Sequence, residues 1–156
     1  MKLPNPVLAN LVWAALFLEG QLLTIPVVAA GLVIEYFFVR RLTGFSLKRA
    51  ALADAAMNAA SLLLGIVLIP FTGLVWEFTL GLLIYELFDL GSFSYVSWAA
   101  TFVLAVLVNA AVENFVLRRF FKLEKTRAVF WWLCLANALS VGVAFAGMWF
   151  FAGKNL

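Results

Sequence analysis

"VIEYFFVRRL" (33–42) and "AVENFVLRRF" (111–120) decide how this chain is read. Each sets one glutamate in an apolar run and follows it, five and six residues later, with two arginines. A carboxylate among apolar neighbours is costly unless something pairs with it. Two matching placements in one short chain therefore point to a common architectural reason.

The rest of the chain says what those neighbours are. Hydrophobic residues make up 66% of the 156, and charged residues 12%. Soluble domains carry about 45–50% and about 25%. A globule of this length cannot hide so much apolar surface from water, so the expected solvent is bilayer hydrocarbon. The expected class is an all-α integral membrane protein of a bacterial-type inner or plasma membrane.

Four runs approach the roughly 20 residues that a crossing helix needs: 22–39, 50–70, 93–117 and 128–152. Two shorter runs, 7–18 and 71–88, precede the two pairs; the first ends at Glu19, and Glu77 and Glu86 interrupt the second. Both read as interfacial or re-entrant helices. Glu77, Glu86 and Asp89 should then form the solvated side of a surface helix.

Charge orients these segments. Of eleven lysines and arginines, nine fall in two loops: Arg40, Arg41, Lys48 and Arg49 in one, and Arg118, Arg119, Lys122, Lys125 and Arg127 in the other. Cytoplasmic loops are enriched in such residues, so both are expected in the cytoplasm, with the termini on the outer side. An even number of crossings must separate them, and two suffice if 71–88 stays at the outer face. The alternative is six spans as a 3+3 inverted repeat, which turns one basic loop outward.

The quoted pair belongs to a longer match. Glu35 leads to Arg40–Arg41, Arg49–Ala50, Asn58 and Ser61; Glu113 leads to Arg118–Arg119, Arg127–Ala128, Asn137 and Ser140. Glutamate and asparagine are 23 residues apart in one copy and 24 in the other, and asparagine precedes serine by three in both. The reading is one membrane domain, 1–156, made of two copies, 1–70 and 71–156. Each copy is an outer helix plus a transmembrane hairpin, so that four crossing helices form the bundle.

Depth follows from helix geometry. At 1.5 Å per residue, Glu35 lies about 8 Å from Arg40, Asp54 about 8 Å from Arg49 and Asn58 about 13 Å from Arg49. Glu35, Asp54, Asn58, Glu113 and Asn137 are thus expected in one polar layer, with Ser61 and Ser140 one turn away on the faces of Asn58 and Asn137. Position 133, the counterpart of Asp54, is leucine. Small residues near the asparagines (Ala55, Ala56, Ala59, Ala60, Gly65, Ala136, Ala138, Gly142) are expected to face inward and let helices approach. Trp76, Trp98, Trp131, Trp132 and Trp149 are candidates for interface belts.

Two functions compete for that layer. Arginines folding back onto Glu35 and Glu113, with amides and hydroxyls as interhelical glue, describe a structural clamp. That suits an accessory or assembly subunit of a membrane complex, bound to other subunits or to itself. An intramembrane acid is otherwise a functional site, here of a transporter or channel for a proton, cation or lipid. Asp54, a second acid at similar depth, favours the latter. The basic loops should also attract anionic lipids.

Catalysis is not expected. The chain has no histidine and no Walker, HExxH, GxSxG or CxxC motif. No catalytic residue, metal ligand set or cofactor is assigned. Cys134 has no thiol partner in the sequence and reads as a buried thiol. The loops are too short for a nucleic-acid-binding domain, and the N-terminal run lacks a small-residue cleavage site, so it is expected to stay in the mature chain.

Overall fold

The computed structural model describes residues 24–90, 94–124 and 127–152, with the side chains described as far as 147. Among them are four helices and the turns between: α1 (Ile25–Thr43), α2 (Leu47–Phe88), α3 (Tyr95–Phe120) and α4 (Arg127–Ala152). The short helix expected at 7–18 lies outside the described residues, as does Lys125. Among the described residues three stretches are long and apolar enough to cross a membrane: Leu47–Phe88, Tyr95–Phe120 and Arg127–Gly147. Helix α1, with 19 residues, is nearly as long as a crossing requires but carries Glu35, Arg40 and Arg41.

Local chemistry sets the helix ends. Pro26 lies in the first turn of α1, where its missing N–H costs nothing. The helix stops at Gly44, whose φ of 65° is the left-handed conformation glycine adopts without penalty; its N–H donates to the Arg40 carbonyl at 3.1 Å. Thr43 donates its hydroxyl to the Val39 carbonyl at 2.7 Å and accepts the Phe45 N–H at 3.2 Å. Residues 44–46 then turn the chain into α2.

Helix α3 ends similarly. Leu117 O accepts from Phe121 N at 3.1 Å and from Leu123 N at 3.2 Å, and Lys122 takes a φ of 55°. Arg40, Arg41, Arg118 and Arg119 fall in last turns, where cations favour the helix dipole. Lys48, Arg49 and Arg127 fall in first turns, where they oppose it. Local helix energetics therefore do not account for the second group.

The expectation of a separate helix at 71–88 is corrected. Helix α2 runs 42 residues without interruption, about 63 Å and twice a hydrocarbon core. Pro70 removes one backbone donor, yet the helix continues through it. Thr72 donates its hydroxyl to the Ile69 carbonyl at 2.9 Å beside it. Winding changes only at Glu77–Gly81, a single π turn.

The helices form a closed ring: α1 packs on α2, α2 on α3, α3 on α4, and α4 on α1. Its core is small and aliphatic, with Val39, Ala53, Met57, Ile69, Ala105, Ala110, Leu117, Leu133, Val141 and Ala144 at 0–2% exposure. Polarity is inverted relative to a soluble protein. Glu35, Asp54, Glu113 and Asn137 are buried, whereas Phe37, Leu63, Val67, Phe71, Phe115 and Trp131 are exposed. Lipid-facing bundles have this distribution, because acyl chains solvate the large apolar side chains.

Of the small residues expected inward, Gly65 and Ala136 are buried, and Ala56, Ala60 and Ala138 pack against the core. Ala55 and Ala59 instead face outward, and Gly142 has open space around it. Trp131 and Trp132 are exposed near the start of α4, while Trp98 packs edge-on against Phe145 near the other end of the bundle, with centroids 5.9 Å apart.

Candidate functional site

The polar layer is held by amides. Asn58 donates its Nδ2 to Glu35 Oε2 at 2.7 Å, and Asn137 donates its Nδ2 to Glu113 Oε2 at 2.6 Å. The first bond ties α1 to α2 and the second ties α3 to α4. Each amide also bonds back along its own helix, Asn58 to Asp54 O and Asn137 to Leu133 O, both at 3.1 Å. Ser61 and Ser140 close the pattern by donating to the carbonyls of Asn58 and Asn137 at 3.2 and 3.1 Å.

The hairpins also meet each other here. Ser140 of α4 faces the Glu35 carboxylate, and the two helices are close at Gly31, where a Cβ would make an ordinary contact with Ser140 Cβ at 3.6 Å. Glu113 lies within electrostatic reach of both Glu35 and Asp54. Asp54 accepts a longer bond from Asn58 Nδ2, 3.2 Å to Oδ1. Leu133 fills the corresponding place in the other hairpin and is fully buried.

The arginine clamp is not formed among the described residues. Asn58 and Ser140 face Glu35; Asn137, Glu35 and Asp54 face Glu113. Arg40, Arg41, Arg118, Arg119 and Arg127 are exposed near the helix ends. A helix turn rises 5.4 Å, so the one or two turns separating glutamate from arginine leave an amide on the neighbouring helix as the nearer partner.

A cavity of about 290 Å³ reaches this layer. Its polar lining is Glu35, Asn58, Ser61, Asn109, Glu113, Asn137 and Ser140, and no lysine or arginine takes part. Its apolar wall is Val27, Val28, Leu32, Leu62 and Ile69. Ala55, Ala59 and Leu62 are exposed as well as cavity-lining, so among the described residues the cavity opens between α1 and α2. Asn109 was missed by the sequence reading. Its signal was available, since it stands four residues before Glu113 and shares that helix face.

A second polar group was misjudged. Glu86 and Asp89 are exposed as expected, but Glu77 is buried, at 6% exposure. Its Oε1 accepts from the Tyr85 hydroxyl at 3.1 Å and from the Ser97 hydroxyl of α3 at 3.5 Å, and Trp76 Nε1 donates to the Tyr85 oxygen at 3.3 Å. On a uniform helix nine residues at about 100° each already set Glu77 about 180° from Glu86, so the spacing itself does not put all three acids on one solvated side.

The basic turns sit together. Arg49 Nη2 donates to the Phe121 carbonyl at 3.0 Å while its guanidinium lies 4.0 Å from the Phe45 ring centroid. Residues 44–46 and the turn at Phe121 are therefore adjacent at one end of the bundle. Arg40, Arg41, Lys48, Arg118, Arg119, Lys122 and Arg127 are exposed. Cys134 is a buried free thiol, and no group of three potential metal ligands occurs among the described residues. Comparison with protein-family models, curated proteins and solved structures finds no match for the chain.

Proposed function

We propose that this is a non-enzymatic membrane protein of four spans, built from two copies of an acid-and-amide hairpin, that acts as a small transporter or channel for a proton or cation. The observation that carries the reading is the cavity that reaches both Glu35–Asn58 and Glu113–Asn137 and has no basic residue in its lining. Buried carboxylates are retained at a cost. A structural role alone gives no reason to leave accessible space beside them.

Two further features support the finer parts. The contact of Arg49 with Phe121 joins the two basic turns, in keeping with both on the cytoplasmic side and against the inverted six-span alternative. The equivalent hydrogen bonds of Asn58 and Asn137 favour duplication over coincidence. In this reading α1 crosses the bilayer, its one buried acid satisfied within the bundle.

Association with other subunits is a second reading, favoured by one feature of α2. Only 17% of its apolar stretch is buried, against 44% in α3 and in α4. A face that large suits either acyl chains or a neighbouring subunit.

Flux separates the two. Purified protein in liposomes should pass protons or small cations down an imposed gradient, read with entrapped pH- or cation-sensitive dyes. Glu35→Gln and Glu113→Gln should each reduce that flux at least tenfold while keeping the shape of the site. Unchanged flux in both variants would reject transport through this layer, and a stable hetero-complex on native extraction would then favour the accessory role.

A further inference from the structure

We propose that a recess at the basic end of α3 binds one anionic glycerophospholipid, its phosphate between Arg118 and Arg119 and an acyl chain along the outer side of the helix. The recess has a volume of about 430 Å³ and is lined by Ala111, Asn114, Phe115, Arg118, Arg119 and Leu123. It shares no lining residue with the cavity at Glu35 and Glu113, so lipid binding here is independent of ion transport there. The turn after α3 completes it. Leu123 N donates to the Leu117 carbonyl at 3.2 Å while Lys122 takes the left-handed conformation, and this folds Leu123 back towards the helix.

Two unpaired cations set the charge of the ligand. Among the described residues neither the Arg118 nor the Arg119 guanidinium has a hydrogen-bond or ion-pair partner. The end of α3 does not require them either. The Leu117 carbonyl already accepts from Phe121 N and Leu123 N, and the Phe121 carbonyl accepts from Arg49. No acid lines the recess. Guanidinium groups hold phosphate oxygens by paired N–H bonds, and the half-buried Asn114 amide adds a donor one turn deeper.

What lies beyond the arginines makes the anion a lipid. Val103, Leu107, Ala111 and Phe115 follow at four-residue spacing on α3 and all are exposed, so they form one row along its outer side. From Phe115 to Val103 the row runs about 18 Å, against about 15 Å for the hydrocarbon of one leaflet. A soluble phosphate has no use for such a row. The matching positions of the first copy are Val33, Tyr36, Phe37, Arg40, Arg41 and Phe45. Val33 and Tyr36 are bulkier than Ala111 and Asn114, Tyr36 stands edge-on to Phe37 with centroids 5.6 Å apart, and the Arg49 guanidinium lies over Phe45. The same arginine pair thus has different surroundings in the two copies, which supplies an internal control.

Native mass spectrometry of the full chain, released from mixed micelles in about 0.15 M ammonium acetate to screen distant charges, tests this by lipid titration. Phosphatidylglycerol should bind as a single adduct about twentyfold tighter than phosphatidylcholine of the same acyl chains, about fivefold for each arginine. The double variant Arg118→Gln, Arg119→Gln should fall to the phosphatidylcholine level. The double variant Arg40→Gln, Arg41→Gln removes the same charge from the matching positions and should stay within about twofold of the native chain. Ala111→Trp keeps every charge but fills the recess, and it should lose the adduct even if the first double variant fails to fold. Inorganic phosphate in large excess should leave the adduct in place. Equal losses in the two double variants would mean diffuse attraction to the whole basic end and overturn the proposal. So would equal binding of the two lipids, native-like binding by Ala111→Trp, or displacement by inorganic phosphate, which would mark a site for soluble anions.

Discussion

Glu113 and Asn137 form the most enclosed polar pair in the bundle, with exposures of 1% and 0%. Removing one partner leaves the other without compensation, which costs about 1–3 kcal/mol and more for a charged group. Asn137→Leu should therefore lower stability by about 3 kcal/mol, measured by reversible unfolding in mixed micelles. The double variant Glu113→Leu, Asn137→Leu should lose clearly less than the sum of the singles, because it removes both polar groups together. Additive losses would mean that the 2.6 Å bond is not what holds this pair. Asn58→Leu should cost less than Asn137→Leu, since Asn58 is only half-buried. At this scale much was legible from residue type and spacing. Glutamate, asparagine and serine in matching order placed the layer, and i, i+3 geometry placed each serine. Their partners were not legible, because whether an acid meets an arginine or an amide depends on how neighbouring helices are rotated.

Among the elements, the two basic turns use the left-handed conformation differently. Gly44 adopts it at a φ of 65° with nothing within 4 Å of a would-be Cβ, whereas Lys122 adopts it at 55° with a full side chain. A Cβ in that conformation costs about 1 kcal/mol. Gly44→Ala should thus destabilise by about 1 kcal/mol without any clash, and Lys122→Gly should stabilise by a similar amount in the same unfolding assay. The π turn makes a different demand. A Cβ on Gly81 would lie 2.8 Å from Trp76 Nε1 and 2.9 Å from the Trp76 carbonyl oxygen. Gly81→Ala must displace the indole and backbone that support Tyr85 and Glu77, and a loss of about 1–3 kcal/mol is expected. A neutral result would show that the turn rewinds freely. Helix type and position were readable from apolar run length. The continuity of α2 was not, because Pro70 and two acids within 71–88 read as interruptions when no neighbour is considered. Burial of Glu77 against Ser97, twenty residues away, is a tertiary fact that helical spacing does not contain.

For the molecule as a whole, the ring order of the helices places α1 beside α4 and α2 beside α3, while short turns join α1 to α2 and α3 to α4. Exchanging the two hairpins preserves this pattern of neighbours, as a two-fold axis along the bundle would. Such an axis brings both basic turns to one end, and Arg49 reaching Phe121 is the contact expected there. The bilayer gives that end a chemical meaning. Lys48, Arg49 and Arg127 stand against their own helix dipoles, so their placement is better explained by the membrane than by the helices. Topology is then testable without reference to transport. In a Cys134→Ser background, single cysteines at Lys48, Lys122 and Asp89 should react with a membrane-impermeant maleimide in intact cells and in inverted vesicles. Positions 48 and 122 should label only in inverted vesicles, and position 89, at the far end of α2, only in intact cells. Labelling of 48 and 122 from opposite faces is the outcome that would dismantle the two-fold arrangement, since adjacent turns at one end of a bundle cannot be divided by the hydrocarbon they share.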